Sequence, residues 1–307
     1  MYIIIYALAF LLVALVSGNN LPACAGSLIS SNIVSKRKGI AMAIIGYSIG
    51  LFTEGDFLKI GLASIMPVNS YLLSSIVLLA ALIVFLLANR ARVPQSLSIT
   101  MSMAIFGLDL ALGSNPDTNF IMLMIIAWIA SSLFAMLLSM ATMKYSYGLL
   151  KGRNIWKSIR ALKAMLLLFS FLTAFTLGAN TIGFVYVMLP HQIYAAYVQL
   201  LLIIAIITGS IMFSGKELKT MGNGIIAMRY LNSLVSQAIS AALVELATIS
   251  SIPLSNTQIY VSSIYGSALS YKTHLINRRI LLSILWSWAG LSALAIIIGY
   301  AATLLLA

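Results

Sequence analysis

Small polar residues interrupt the apolar sequence at two corresponding places in each half of the chain, and these interruptions restrict the fold more than any other feature. In the first half, residues 17–32 read SGNNLPACAGSLISSN, and a second interruption, PQSLS, begins at Pro94. In the second half, residues 177–183 read LGANTIG, and PLSNT begins at Pro253. A simple membrane-spanning helix would remain apolar at these depths.

The spacing of the interruptions indicates an internal duplication. Asn20 and Ser96 are 76 residues apart, and Asn180 and Ser255 are 75 residues apart. Broken apolar segments at corresponding positions of two repeats are the best sequence indication of the substrate site of a secondary transporter.

The composition places the chain in the membrane. Hydrophobic residues make up 62% of the sequence and charged residues only 8%, whereas soluble domains have about 25% charge. The apolar runs are too long for the alternating strands of an outer-membrane barrel. Cys24 is the only cysteine, which excludes an intrachain disulfide and a CxxC metal motif. The net charge of +12 lies mostly between apolar segments, so membrane topology explains it better than nucleic-acid binding.

The apolar segments predict an all-α integral membrane protein with ten membrane-crossing units, five in each repeat. The first unit is predicted to break at Gly18 and to continue as a polar half-helix. Some units are alternatively re-entrant hairpins. Residues 1–16 resemble the apolar core of a signal peptide but lack a basic N-terminal region, so we expect them to be retained. The predicted units are residues 1–35, 39–55, 68–89, 93–113, 120–143, 165–189, 198–213, 223–249, 253–271 and 280–302.

The distribution of lysine and arginine predicts that the two repeats are inverted. The loop with Lys36–Lys38 is basic and therefore cytoplasmic, whereas its counterpart, residues 191–197, has no lysine or arginine. Conversely, residues 114–119 carry no lysine or arginine, while their counterpart contains Arg278 and Arg279. We therefore predict repeat 1 over residues 1–143, a basic cytoplasmic linker over 144–164 and repeat 2 over 165–307, in the plasma membrane with both termini outside.

The four interruptions also resemble the motifs of a known family. GNNLPACAGSLISSNIVSKRKGIAMA and LGANTIG are similar to the two GAND-type signatures of the inorganic phosphate transporter (PiT) family. PQSLS and PLSNTQ resemble its two PxSTTH motifs, in the same order and with similar spacing. The resemblance implies an inverted-repeat carrier of inorganic phosphate, or of sulfate in some members, with sodium ions or protons as the coupling ion. It also implies a homodimer.

The resemblance assigns the substrate site to residues at these motifs. The signature asparagines match Asn20 and Asn180, whereas Leu21 and Thr181 stand where the family has aspartate, and Ile99 and Gln258 replace the motif histidines. A carboxylate is the expected hard-oxygen ligand for a cation, so its loss argues against ordinary sodium coupling. The predicted substrate-binding residues are Asn20, Ser96, Ser98, Asn180, Thr181, Ser255, Asn256 and Thr257.

Elementary chemistry independently favours oxyanion binding at these motifs. A broken helix presents unpaired backbone N–H groups at a half-helix N-terminus, and these attract an anion. Serine, threonine and asparagine add neutral hydrogen-bond donors. Pro94 and Pro253 suit the first position of a half-helix, where a missing N–H is harmless. The alternative is that the small polar residues only allow helices to pack closely.

Most acidic residues are predicted in solvated loops, including Glu54. Asp109 and Glu245 fall in apolar segments, where a carboxylate is costly, and they are candidates for proton coupling or for structural pairing. The complete set of candidates for the coupling ion is Asn19, Asp109, Gln258 and Glu245. Trp128, Trp286 and Trp288 are interpreted as anchors at the membrane interface.

Three classes of function remain from the sequence. A secondary transporter of phosphate, with sulfate or another oxyanion as the alternative substrate, explains the inversion and the interruptions. An enzyme is not expected, because no nucleophile with a base and no metal-ligand set converges in the sequence. A channel or a non-transporting subunit is a further alternative. We expect no cofactor apart from a coupling H⁺ or Na⁺. The expected partners are phosphate or sulfate, membrane lipid and a second copy of the chain, and no nucleic acid.

Overall fold

The computed structural model describes residues 2–66, 70–91, 93–114, 116–150, 155–189, 195–213, 230–270 and 278–306, and every regular element within them is helical. The helices of the first half begin with a 29-residue segment that contains the first signature and end with a 33-residue segment. They are α1 (Tyr2–Ser30), α2 (Lys36–Glu54), α3 (Lys59–Ile65), α4 (Tyr71–Ala91), α5 (Leu97–Leu112) and α6 (Thr118–Leu150).

The second half repeats this order. Its first span consists of α7, a π-helical segment that contains the second signature, and α8. The elements are α7 (Ile155–Thr176), the π segment (Leu177–Ile182), α8 (Gly183–Met188), α9 (Ala195–Phe213), α10 (Tyr230–Ile249), α11 (Asn256–Leu269) and α12 (Arg278–Leu306).

Each repeat packs its helices against the corresponding helices of the other repeat. Helix α1 packs on α9, and its counterpart α7 packs on α2. In the same way, α5 packs on α12 and α11 packs on α6, so each short helix of one repeat lies against the last helix of the other. This reciprocal packing agrees with the predicted all-α fold of two inverted repeats.

The number of full crossings is smaller than predicted. Within the described residues, seven helices are long and apolar enough to span a membrane, or eight if α2 and α3, which bend by 74°, form one span. Helices α5 and α11 have 16 and 14 residues. At 1.5 Å per residue they reach only about 24 and 21 Å, short of a hydrocarbon core of about 30 Å. We name α4 with α5 hairpin 1 and α10 with α11 hairpin 2, and we interpret both as re-entrant.

The predicted break at Gly18 is wrong. Helix α1 continues through Gly18 to Ser30, although it contains Pro22. A Cβ atom at Gly18 would lie 2.5 Å from the Cβ of Phe213 and 2.9 Å from the carbonyl oxygen of Gly209. This glycine therefore allows α1 and α9 to approach closely and does not end the helix. The matching point in repeat 2 is the π segment, which widens the helix locally without ending it.

The extent of the linker stays a prediction. Residues 144–150 continue α6, and residues 155–164 form the start of α7. The remaining linker residues, 151–154, lie outside the described residues, as do most of the basic loop at 272–279 and the histidines His191 and His274.

Gly209 provides a test of the packing between repeats. An added Cβ would lie 1.8 Å from the carbonyl oxygen of Ala14, so Gly209→Ala forces α1 and α9 apart. Overpacking of this kind costs about 1 to 3 kcal/mol. We expect a lower midpoint of thermal unfolding in detergent than for Gly290→Ala in α12, because Gly290 has no heavy atom within 4 Å of the added Cβ. Equal midpoints for the two variants would contradict the close contact.

Candidate functional site

The tips of the two hairpins are built in the same way. Ser96 precedes α5 and accepts a hydrogen bond from the Ile99 N–H at 3.4 Å, and Ser255 precedes α11 and accepts one from the Gln258 N–H at 3.2 Å. Both serines are N-caps with extended backbone. Pro94 and Pro253 therefore stand two residues before the N-cap, which corrects their predicted place at the first helical position.

An asparagine fastens each tip to the signature helix of its own repeat. The Asn180 amide group donates to the Thr248 hydroxyl at 3.0 Å and to the Ile252 carbonyl at 3.1 Å, and its oxygen accepts from the Leu254 N–H at 3.1 Å. Asn180 is fully buried. Because both ends of the amide are used, this side chain fixes the start of α11 relative to the π segment.

Asn19 makes the same contacts in repeat 1. Its amide group donates to the Asn89 side chain at 3.0 Å and to the Val93 carbonyl at 3.3 Å, and its oxygen accepts from the Gln95 N–H at 3.1 Å. The counterpart of Asn180 is therefore Asn19, and the predicted match to Asn20 is shifted by one residue.

This shift also changes which residues stand at the aspartate position of the family. Asn20, not Leu21, corresponds to Thr181. Both side chains line one cleft, together with Val16, Ser17, Tyr47, Leu177 and Ile182. The Asn20 amide oxygen is buried there without a hydrogen-bond partner. The cleft is too narrow to admit a water molecule in this conformation.

The remaining predicted hydroxyls lie around the tips. Ser98 donates to the Asn180 amide oxygen at 3.5 Å, which joins hairpin 1 to the signature of repeat 2. The hydroxyl oxygens of Ser255 and Thr257 are 3.4 Å apart, and the Asn256 amide oxygen accepts a hydrogen bond from the Ser240 hydroxyl of α10 at 3.3 Å. The structure thus groups Ser98 with Asn180 and Asn20 with Thr181, and it directs Asn256 toward α10. All eight predicted residues are buried.

Two tryptophans hold the tips from outside, and sequence reasoning misassigned them. Trp128 of α6 donates to the Pro253 carbonyl at 2.9 Å, and Trp288 of α12 donates to the Pro94 carbonyl at 2.8 Å. Both are buried, which corrects their interpretation as interface anchors. Trp286 is 76% exposed on α12 and remains compatible with that role. The signal that could have identified the pair is the spacing of 160 residues between Trp128 and Trp288, which matches the repeat.

Trp288 does not line the cleft, but removing its hydrogen bond to hairpin 1 should still disturb the site. In Trp288→Phe the Pro94 carbonyl loses its partner, which costs about 1 to 3 kcal/mol. We expect slower anion uptake. Trp286→Phe, two positions away on the exposed face, is the matched control and should behave like the unmodified protein. Equal uptake by the two variants would show that the tip does not depend on this bond.

The candidates for the coupling ion divide into different environments. Asn19 is used to hold hairpin 1, and Gln258 is half-buried on the first turn of α11. Asp109 is buried near the end of α5, where one carboxylate oxygen accepts from Ser114 at 2.9 Å and the other has no partner. Glu245 of α10 lies against Glu54, the last residue of α2, which the sequence placed in a loop. Each of these two glutamates also has one buried carboxylate oxygen without a partner.

The fold and the site define an inverted-repeat helical membrane transporter, with two re-entrant tips beside a small polar cleft. Residues 151–299 match the model of the phosphate transporter family, in agreement with the family predicted from the motifs. A predicted phosphate permease of Methanocaldococcus jannaschii is 22% identical over 294 residues, which cover 95% of this chain and 94% of the relative. A solved structure described as the sodium-dependent phosphate transporter has the same fold, with a TM-score of 0.86, 15% identity and coverage of 99% of this chain and 98% of that one.

Proposed function

We propose that this chain carries inorganic phosphate across the membrane by alternating access. The observation that carries the proposal is the paired arrangement at the centre, where two capped helix N-termini from inverted hairpins are fastened by Asn19 and Asn180 beside the cleft. Helix N-termini favour anions. The family match and the full-length likeness to the permease of Methanocaldococcus jannaschii support phosphate as the substrate.

The chemistry of the cleft suits an oxyanion that the protein must release again. Its polar side chains, including Asn20, Thr181 and Tyr47, are neutral groups that donate hydrogen bonds. A set of neutral donors satisfies oxyanion oxygens without the strong attraction of a fixed positive charge. The fold and the family indicate transport and not an enzymatic reaction.

The coupling ion in this proposal is a proton shared by Glu54 and Glu245. The two carboxyl groups are adjacent, and two ionised carboxylates at this separation would repel each other. Glu245 is one turn before Thr248, which binds Asn180, so the protonation state of the pair acts close to the tip of hairpin 2. Asp109 is the alternative proton site, and its position near the far end of α5 places it about 20 Å along that helix from Ser96.

Uptake of labelled anions into proteoliposomes tests the proposal. Phosphate and sulfate are compared under a proton gradient, a sodium gradient and no gradient. Faster phosphate uptake under the proton gradient alone is the expected result. A preference for sulfate would keep the carrier and change its substrate, and uptake driven only by sodium would overturn proton coupling. Absence of uptake of both anions under every condition would contradict the proposed function. A homodimer and outside termini remain predictions for crosslinking and protease protection.

A further inference from the structure

Helix α10 carries a buried polar stripe that the site at the tips does not explain. Ser233, Ser236, Gln237 and Ser240 follow the spacing i, i+3, i+4 and i+7, so they occupy one face of the helix. All four side chains are fully buried. Over these seven positions the stripe extends about 10 Å from the level of Asn256 toward the start of α10.

Neighbouring helices continue the polar surface. The Gln237 amide group donates to the Ala23 carbonyl of α1 at 2.7 Å and to the Ser27 hydroxyl at 3.3 Å. Tyr260 of α11 is fully buried beside Ser27 and Gln237. Ser240 donates to Asn256 at the start of α11, which connects the stripe to the tip of hairpin 2. The stripe therefore runs without interruption from the tip into the space between α1, α10 and α11.

Many polar atoms along this surface have no hydrogen-bond partner. Small polar residues that only bind helices together use their hydroxyls in hydrogen bonds, so packing alone does not account for these atoms. A path that fills with water when the helices separate does account for them. The unpartnered atoms are Asn232 Oδ1, Ser233 Oγ, Ser236 Oγ, Asn256 Nδ2 and Ser263 Oγ.

The mirror-related surface in repeat 1 is apolar except at one end, where the counterpart of Ser233 is Ser74, which is also fully buried and without a hydrogen-bond partner. Counterparts lie 159 positions earlier, the separation between Ser96 and Ser255. In α4, the residues that correspond to Ser236, Gln237 and Ser240 are Val77, Leu78 and Ala81, and all three are fully buried. In α5, the residues that correspond to Tyr260, Ser263 and Ser267 are Met101, Ala104 and Leu108, which are fully buried as well. Most of the polarity therefore belongs to one side of the molecule, and repeat 1 shares it only at Ser74.

We infer that the surface between α1, α10 and α11 is a hydrated passage for the anion, leading from the tip of hairpin 2 to one face of the membrane. This inference rests on the proposed function for the identity of the anion, but not for the existence of the passage. The passage leads toward the end of α1 that precedes Lys36–Lys38, the loop predicted to be cytoplasmic.

An apolar cluster lies next to the surface between α1 and α10, and in this proposal it keeps the passage closed. Leu28, Leu166 and Leu234 pack together where α1, α7 and α10 meet, and Tyr230 and Val34 contact them. Apolar constrictions of this kind block ions by excluding water. Separation of these side chains opens the passage, and Leu234→Ala should open it more often.

Cysteine labelling tests the passage independently of the transported substrate. Cys24 is replaced by alanine, and Ser236→Cys is compared with Val77→Cys, its fully buried mirror position. The reagent is sulfonatoethyl methanethiosulfonate, a small membrane-impermeant anion, applied to right-side-out and inside-out vesicles. Ser236→Cys should be labelled from one face only, and Val77→Cys from neither. Leu234→Ala should speed labelling of Ser236→Cys. Ser263→Cys on α11 gives a second position should Ser236→Cys fail to fold.

Each outcome has a definite meaning. Labelling of Ser236→Cys that inorganic phosphate slows supports both the passage and its cargo. Labelling from one face without any effect of phosphate supports the passage and counts against phosphate as the proposed substrate. Protection of both serine positions from both faces, in a protein that still takes up phosphate, would overturn the passage. Equal labelling of Val77→Cys would overturn it as well.

Discussion

Replacing Asn180 by alanine is expected to reduce phosphate uptake to the background of empty liposomes. The substitution removes the acceptor for the Leu254 N–H and the donor to the Ile252 carbonyl, leaving buried groups at the tip of hairpin 2 without partners. Each such group costs about 1 to 3 kcal/mol. Because α11 begins two residues after Leu254, the tip shifts and the anion loses its cradle. Uptake and phosphate binding are both measured on purified protein.

A conservative variant tests whether the hydrogen bonds of Asn180, and not only the volume of its side chain, are required. Asn180→Asp keeps the size of the side chain, but it places an oxygen opposite the Ile252 carbonyl oxygen, so it should fail like alanine. Asn119→Ala, at an exposed asparagine on the first turn of α6, is the control and should retain full uptake. Unchanged phosphate affinity in both Asn180 variants would remove Asn180 from the account.

Replacing Glu245 by glutamine is expected to abolish uptake driven by a proton gradient while leaving phosphate exchange intact. Glutamine has nearly the same shape and keeps a hydrogen-bonding contact with Glu54, but it cannot take up or release the proton. The carrier would still bind phosphate and reorient. Uptake should therefore no longer respond to a proton gradient, and exchange between internal and external phosphate should continue.

Matched variants locate the proton. Glu54→Gln should reproduce the effect of Glu245→Gln if the two carboxyl groups act as a pair. Asp56→Asn, which removes only a surface ion pair with Lys59, should leave coupling unchanged. Loss of coupling in Asp109→Asn with normal coupling in both glutamate variants would transfer the role to Asp109 and refute the pair.

The sequence predicts the architecture because duplication and charge leave direct marks on it. The four interruptions and the asymmetry of lysine and arginine indicate inverted repeats before any coordinates are known. The nature of each interruption is harder to predict. At Gly18 small residues allow α1 and α9 to touch, whereas at Pro94 and Pro253 the helix does end. Because glycine can either end a helix or allow two helices to pack closely, its presence in an interruption does not predict which of the two occurs.

The details of the site depend on contacts between distant parts of the chain. By sequence the signature asparagine is Asn20, and only the bonds of the adjacent Asn19 to hairpin 1 reveal that the register is shifted by one residue. Glu54 and Glu245 are 191 positions apart, and nothing near either residue indicates the other. Trp128 and Trp288 have an ordinary signal for interface anchors, yet packing between repeats buries them.

Counterflow most directly tests the central claim that the two hairpins alternate around one phosphate site. Liposomes containing the protein are loaded with unlabelled phosphate and diluted into labelled phosphate, with no proton or sodium gradient. The account predicts that labelled phosphate accumulates transiently inside above its external concentration. This happens because each export of unlabelled phosphate leaves the binding site facing outward, where it binds labelled phosphate. It also predicts that Asn180→Ala removes this overshoot. Label that only rises to equilibrium would indicate a channel and contradict alternating access.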